Sequence, residues 1–325
     1  MSFSNEIKNE LAHLEQEEPC CELAELAGLV RMDGTILIGM QNRMGLELTT
    51  ENAAVARKAF KGIKKLFQIE TEITVQRRNR LKKNNVYIVR VPGQTKVMDM
   101  LDTLGLMRDG FPYNPEIRPS LIEKDCCKRS YLRGVFLGAG SLSDPMNSYH
   151  LEIVANSEEY AESLVQLIEV FGLHPKISGR KNVLLVYLKE SEQIADFLNI
   201  IGAHQALLEL ENIRIQKGVR NQVNRLVNCE NANINKTVDA AQRQKANIEF
   251  IQKYYGFEKL NEGLRAVAEA RLAYPEVSLK ELGTLLDPPL GKSGINHRMR
   301  KLEELAEELH GKGYGAVPSK NVAEG

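Results

Sequence analysis

A motif that occurs twice constrains this 325-residue chain more than any other feature. The first copy reads Cys20-Cys21, then Leu26-Ala27-Gly28-Leu29-Val30-Arg31-Met32-Asp33-Gly34. The second reads Cys126-Cys127, then Leu132-Arg133-Gly134-Val135-Phe136-Leu137-Gly138-Ala139-Gly140. Each central glycine follows its cysteine pair at the same spacing, so the two frames are locked together. Such self-similarity predicts one supersecondary unit built twice. The copies part at their ends, where Asp33 precedes the last glycine of the first and Ala139 takes that place in the second.

The parallel continues downstream. In the first copy, strands are expected at Thr35 to Ile38 and around Leu46-Glu47-Leu48, then a helix from about Asn52 to Phe67 with Val55, Ala59, Ile63 and Leu66 in helical spacing. Strands at Thr71 to Gln76 and Val86 to Val91 follow, and a short helix holding Val97, Met100, Leu101 and Leu104 closes at Gly105. The second copy answers with Leu151-Glu152-Ile153, a helix through Leu164, Ile168 and Phe171, strands near Lys176-Ile177 and Val183 to Leu188, and a helix ending at Gly202. The predicted fold class is therefore α+β, a duplicated αββαββα unit over residues 1–215 with repeats at about 20–105 and 126–202. An all-α region follows.

An interior glycine costs a helix ~1 kcal/mol relative to alanine. Gly28 and Gly134 hold matching places in otherwise helical runs. The simplest account is two helices touching there across a pseudo-twofold axis. A glycine merely tolerated in each helix would have to be invoked twice.

The stretch Leu26 to Gly34 resembles the motif of the LAGLIDADG homing endonucleases, and the repeat matches their half-domain. The resemblance implies a saddle whose motif helices pair at the dyad, with one acid from each helix holding metal at the scissile phosphates. Asp33 stands at the first acidic position and Ala139 at the second. A methyl group cannot ligate a metal, and cleavage of this kind needs ions that stabilise both attacking and leaving oxygens. Gly28, Asp33, Gly134 and Ala139 are thus expected to be vestigial motif and helix-pairing residues, and no catalytic residue is expected. A metal-dependent endonuclease with other ligands is the alternative.

Composition fits a soluble protein: 43% of residues are apolar and 26% charged, and no run nears the ~18 apolar residues of a membrane span. No secretory leader is legible, and five cysteines in two adjacent pairs plus Cys229 do not read as a disulfide framework. A cytoplasmic, nucleoid-associated protein without membrane contact is expected. Adjacent cysteines lack the two-residue gap of usual zinc knuckles, so no metal and no cofactor are expected. The sharper alternative is a four-thiolate zinc site on Cys20, Cys21, Cys126 and Cys127, should the motif helices lie side by side.

The formal net charge is zero, yet charge is local: from Arg214 to Lys259 nine basic residues face four acids. Residues 216–258, rich in Asn, Gln and basic side chains, are expected to form a mainly helical connector able to contact phosphate, Lys236 among them. Over 259–312, helices are expected at Leu260 to Ala273, at Leu279 to Leu286 behind a Ser278/Glu281 capping box, and from Lys292 to about Leu309. The last begins with Lys292, Ser293, Asn296, His297, Arg298, Arg300 and Lys301 and ends in Glu303, Glu304, Glu307 and Glu308. Bases at a helix start oppose the macrodipole. A short helix, a tight turn and a helix with a basic opening form the helix-turn-helix pattern, whose second helix enters the major groove N-terminus first. Those seven residues are the expected DNA contacts. Secondary contacts are expected at Arg77, Arg78, Arg80, Lys82, Lys83, Arg180 and Lys181 in or beside hairpin loops. Residues 313–325 read as a flexible tail.

With its cysteine pairs, the block Arg129 to Ser141 and Leu282 to Leu302, the whole chain resembles the WhiA family. That resemblance implies a transcriptional regulator of cell division, chromosome segregation or sporulation that binds promoter DNA through its helix-turn-helix. Transcription or cell-division proteins are the further partners expected should the saddle serve as an interaction platform. A saddle turned into a protein-interaction platform is the remaining alternative. Both half-folds lie in one chain, so a monomer is expected.

Overall fold

The computed structural model describes residues 2–16, 18–39, 43–77, 85–180 and 183–314. Phe3, Ile7 and Leu11 recur every four residues and are buried along one side of an opening helix, α1 (Phe3–His13). The motif helix of the first copy, α2 (Pro19–Asp33), follows and leads straight into β1 (Gly34–Ile38). Next come β2 (Met44–Thr50), α3 (Ala53–Phe67), β3 (Glu72–Arg77), β4 (Asn85–Val91) and α4 (Thr95–Thr103). The second copy repeats this as α5 (Asp125–Ala139), β5 (Gly140–Leu142), β6 (Leu151–Ala155), α6 (Glu158–Glu169), β7 (Lys176–Arg180), β8 (Val183–Leu188) and α7 (Ser191–Ile201).

The duplication extends to topology. Each copy holds a four-stranded antiparallel sheet, ordered β1-β2-β4-β3 in the first and β5-β6-β8-β7 in the second. Alternation fixes which face is covered: Leu46 and Leu48 are buried beside Val89 and Val91, and Leu151 and Ile153 beside Val186 and Leu188. Asn52 caps α3, its side chain accepting the amides of Ala54 and Val55, and Ser157 caps α6 through the Tyr160 amide. Gly202, at φ 86°, ends α7 in a left-handed conformation that suits glycine. One apolar core runs through α1, both motif helices and both sheets.

Contacts divide the chain into two units, Met1–Lys217 and Gly218–Gly325. The expected connector is part of one continuous helix, α8 (His204–Tyr254), which starts earlier than its composition suggests. Ile248 and Ile251 near its end belong to the core of the second unit. There α9 (Glu262–Ala273), α10 (Leu279–Thr284) and α11 (Lys292–Gly311) bury Val267, Ala268, Leu282, Ile295, Met299, Leu302, Ala306 and Leu309. Among the described residues no helix is long and apolar enough to cross a membrane.

Candidate nucleic-acid interface

In the first unit the glycines explain how the motif helices meet. A methyl group at Gly28 would collide with the Tyr131 carbonyl oxygen, and one at Gly134 with the Glu25 carbonyl oxygen. One turn on, a Cβ at Gly138 would sit 2.6 Å from the Met32 Cβ. Backbones touch here, so each glycine serves the contact expected of it. Glu25 lies buried in the same seam. Its carboxylate meets the Lys58 ammonium at 2.8 Å and the Arg133 guanidinium at 3.3 Å, and it accepts a bond of 2.6 Å from Gln16 Nε2. Burial pushes its pKa up, while Lys58 and Arg133 pull it down.

Asp33 and Ala139 are the last residues of their helices, the equivalent places on either side of the dyad. Burial raises the Asp33 pKa from 3.8 to about 7, against a downward pull from Lys8. Lys8 is carried by α1, and its ammonium donates 3.2 Å to the Gly138 carbonyl, one residue before Ala139. Burial lowers the Lys8 pKa and Asp33 opposes that shift. The Lys8 side chain is therefore fixed close to Asp33. Sequence reasoning missed Lys8, because only the fold brings it to a motif far along the chain. The Phe3, Ile7, Leu11 periodicity was the available signal for the helix that carries it.

The uncovered sheet faces bear acids at matching places. Glu47, between buried Leu46 and Leu48, pairs with Arg90 at 2.6 Å. Glu152, between buried Leu151 and Ile153, accepts from Ser141 Oγ at 3.1 Å and lies 3.2 Å from His150 Nε2. Of the expected secondary contacts, Arg77 ends β3 and is exposed. Arg78, Arg80, Lys82, Lys83 and Lys181 lie outside the described residues, as does the side chain of Arg180. At the start of α2 and α5, Cys20, Cys21, Cys126 and Cys127 come together, with all four sulfurs within 4.8 Å of one another.

The second unit builds a helix-turn-helix. Ser278 Oγ accepts the Glu281 amide and Glu281 answers on the Ser278 amide, which is the expected capping box. The turn between α10 and α11 is closed by the Leu290 amide donating to the Gly283 carbonyl at 2.9 Å. A methyl at Gly283 would strike the Leu290 carbonyl oxygen. Arg271, on α9, is buried beneath the turn entering α10 and donates 2.7 Å to the Val277 carbonyl. Neither the Gly283 nor the Arg271 contact was foreseen, since both depend on how the turns fold back.

Helix α11 sorts its side chains cleanly. Ile295, Met299 and Leu302 face the core, and Lys292, Ser293, Asn296, His297, Arg300 and Lys301 are exposed on its open side. No side chain caps its first turn, leaving the leading amides available to an anion. Arg300 meets Glu304 one turn on at 3.2 Å, an exposed pair of the kind worth only ~0.3–0.5 kcal/mol. Arg298 behaves differently. It is half-buried and donates 3.1 Å to the Gly263 carbonyl at the start of α9, so the structure sets it apart from the exposed group. Its place directly before Met299 was the overlooked signal. Lys236 of α8 lines one hollow with Lys280 and Lys292, which brings a residue of the connector beside the opening of α11.

Comparison with known proteins agrees along the whole chain. Residues 19–107 match the WhiA N-terminal LAGLIDADG-like domain, 128–220 the WhiA LAGLIDADG-like domain, and 223–306 the WhiA C-terminal HTH domain. A protein of Desulforamulus reducens named probable cell division protein WhiA is 54% identical over 97% of this chain and 98% of its own. One of the same name from Heliobacterium modesticaldum is 53% identical over 99% of this chain and 100% of its own. The crystal structure of full-length DUF199/WhiA from Thermatoga maritima matches with a TM-score of 0.58 at 29% identity, covering 98% of this chain and 100% of that one. The chain is a member of the WhiA family.

Proposed function

We propose that this chain is a sequence-specific DNA-binding transcriptional regulator of cell division that has no nuclease activity. The observation that carries the reading is the exposed group Lys292, Ser293, Asn296, His297, Arg300 and Lys301 on α11, set opposite its buried stripe. Cations there contact phosphate, and the amide and imidazole of Asn296 and His297 can read base edges in a major groove. Lys236 and Lys280, in the hollow shared with Lys292, extend the basic surface toward a flanking phosphate. Arg298 contributes by holding α11 against α9.

The saddle is a poorer seat for duplex. Glu47 and Glu152 put a carboxylate at the middle of each open sheet face, and the cation beside the first, Arg90, is already neutralised by it, which leaves little net attraction for phosphate there. Cleavage is disfavoured by Ala139 opposite Asp33 and by the Lys8 ammonium, which holds positive charge near where a divalent ion would have to enter. Division as the regulated process rests on the names of the relatives from Desulforamulus reducens and Heliobacterium modesticaldum.

Immunoprecipitation of chromatin followed by sequencing identifies bound promoters, and anisotropy on those fragments gives affinity against salt. Replacing Arg300 and Lys301 together by Ala is expected to weaken binding by more than about tenfold and to reduce the salt slope by about 2. Wild-type affinity and slope in that variant would remove the assignment. Nicking of plasmid DNA in magnesium or manganese that disappears in Asp33→Ala would refute the non-catalytic reading.

A further inference from the structure

We propose that Cys20, Cys21, Cys126 and Cys127 form a closed four-thiolate zinc site that clamps the two motif helices at the N-terminal end of their crossing. Each cysteine pair occupies the second and third positions of its helix, since α2 begins at Pro19 and α5 at Asp125. Cys21 precedes Gly28 by two helical turns, as Cys127 precedes Gly134, so each shares the face that its glycine turns toward the partner helix. The glycine contacts draw the backbones together, and the sulfurs converge as a result. Both sulfurs of each pair lie within 4.8 Å of both sulfurs of the other, so the contacts run across the pseudo-dyad.

The spacing suits zinc. With Zn–S bonds of ~2.3 Å, a regular tetrahedron places its sulfurs about 3.8 Å apart. Here the largest separation is 4.8 Å, so side-chain rotation that draws the sulfurs in by about 1 Å completes the shell. Local sequence rules look for a gap of two residues within one knuckle. Two helices that each supply an adjacent pair meet the same need from both sides of a dyad. Cys21 and Cys127 are buried, Cys20 is half-buried and Cys126 is exposed, which leaves an edge through which the ion can enter. Four protein sulfurs fill a tetrahedron and leave no open position, so the site is structural.

Charge balance agrees. Binding releases four thiol protons to solvent and leaves a centre of net charge −2, the sum of Zn²⁺ and four thiolates. Both helix N-termini direct their positive ends at it, and Lys124 and Arg133 act on its cysteines as cations. Soft thiolates in a tetrahedral set select zinc over hard cations such as magnesium.

The experiment uses the full chain purified under reducing conditions without added chelator, with metal measured by plasma mass spectrometry. About one zinc per chain is expected, and cobalt substitution should give the intense visible bands of a tetrahedral tetrathiolate. Chelator should lower the melting temperature of the wild type. Cys126→Ser, chosen because Cys126 is exposed and its change spares the core, should purify with most of its zinc lost and show no chelator response. A wild-type chain that contains no zinc and takes up neither zinc nor cobalt overturns the proposal. So do two cross-copy disulfides in that preparation, iron in place of zinc, or a Cys126→Ser chain with full zinc content. None of these readouts depends on DNA binding.

Discussion

The paired motif helices differ at their two ends. At the N-terminal end, α2 and α5 present the same residues at the same positions, two cysteines each, and the four sulfurs meet. At the C-terminal end, Asp33 faces the place of Ala139, and Lys8 arrives from a third helix. Symmetry persists where the cysteines of both copies converge. It is broken where the first helix ends in Asp33 and the second in Ala139. Between the ends, the glycine crossing and the Glu25 seam hold the halves together whatever happens at either end.

Breaking the crossing should have the largest effect. Gly134→Val would drive a branched side chain into the Glu25 carbonyl, and backbone cannot yield as a flexible side chain can. We expect a loss of about 3 kcal/mol or more in urea unfolding, the upper end for overpacking, because the clash is with backbone. A loss below ~1 kcal/mol would mean that the helices can part without harm to the rest of the unit. Next in size is Glu25→Ala, which leaves Lys58 and Arg133 facing each other without their shared anion. Removing one partner of a buried ion pair costs about 3 kcal/mol. Replacing Arg133 as well should recover part of that loss, because the uncompensated cation goes with it.

The smallest effect isolates the asymmetric end. An acid whose folded-state pKa lies above its ordinary value binds its proton more tightly in the folded chain. Stability from Asp33 is therefore complete below pH 3.8 and falls as pH rises toward about 7. Asp33→Asn removes the ionisation. Its stability relative to wild type should rise from near zero around pH 4 to about 1–2 kcal/mol at pH 8, allowing for solvent screening and for the lost attraction to Lys8. Melting curves across that range check the trend, and a pH-independent difference would show that the carboxylate is not buried in a way that matters.

Much of this was legible from residue order alone. The equal spacing from each cysteine pair to Gly28 and Gly134 carried the duplication, and the apolar periods carried the strands and helices that follow. The Ser278/Glu281 box and the stripe Ile295, Met299 and Leu302 located the C-terminal helices to within a few residues. What escaped notice depends on approach between distant segments. Lys8 meets Gly138 only because α1 packs near the dyad, and Arg271 reaches the Val277 carbonyl only because the chain turns back on itself. Arg298 is a case of another kind. Its charge placed it with the exposed residues of α11, while its position on the helix put it against α9.

Joining both halves in a single polypeptide has a genetic consequence. In a homodimer every codon change appears on both sides of the axis at once, so losing one acid means losing two. A tandem copy is released from that constraint: residue 33 is aspartate and residue 139 alanine within one gene. One polypeptide can therefore hold a carboxylate on one side of the pseudo-dyad and a methyl group on the other, an arrangement that two identical subunits cannot encode.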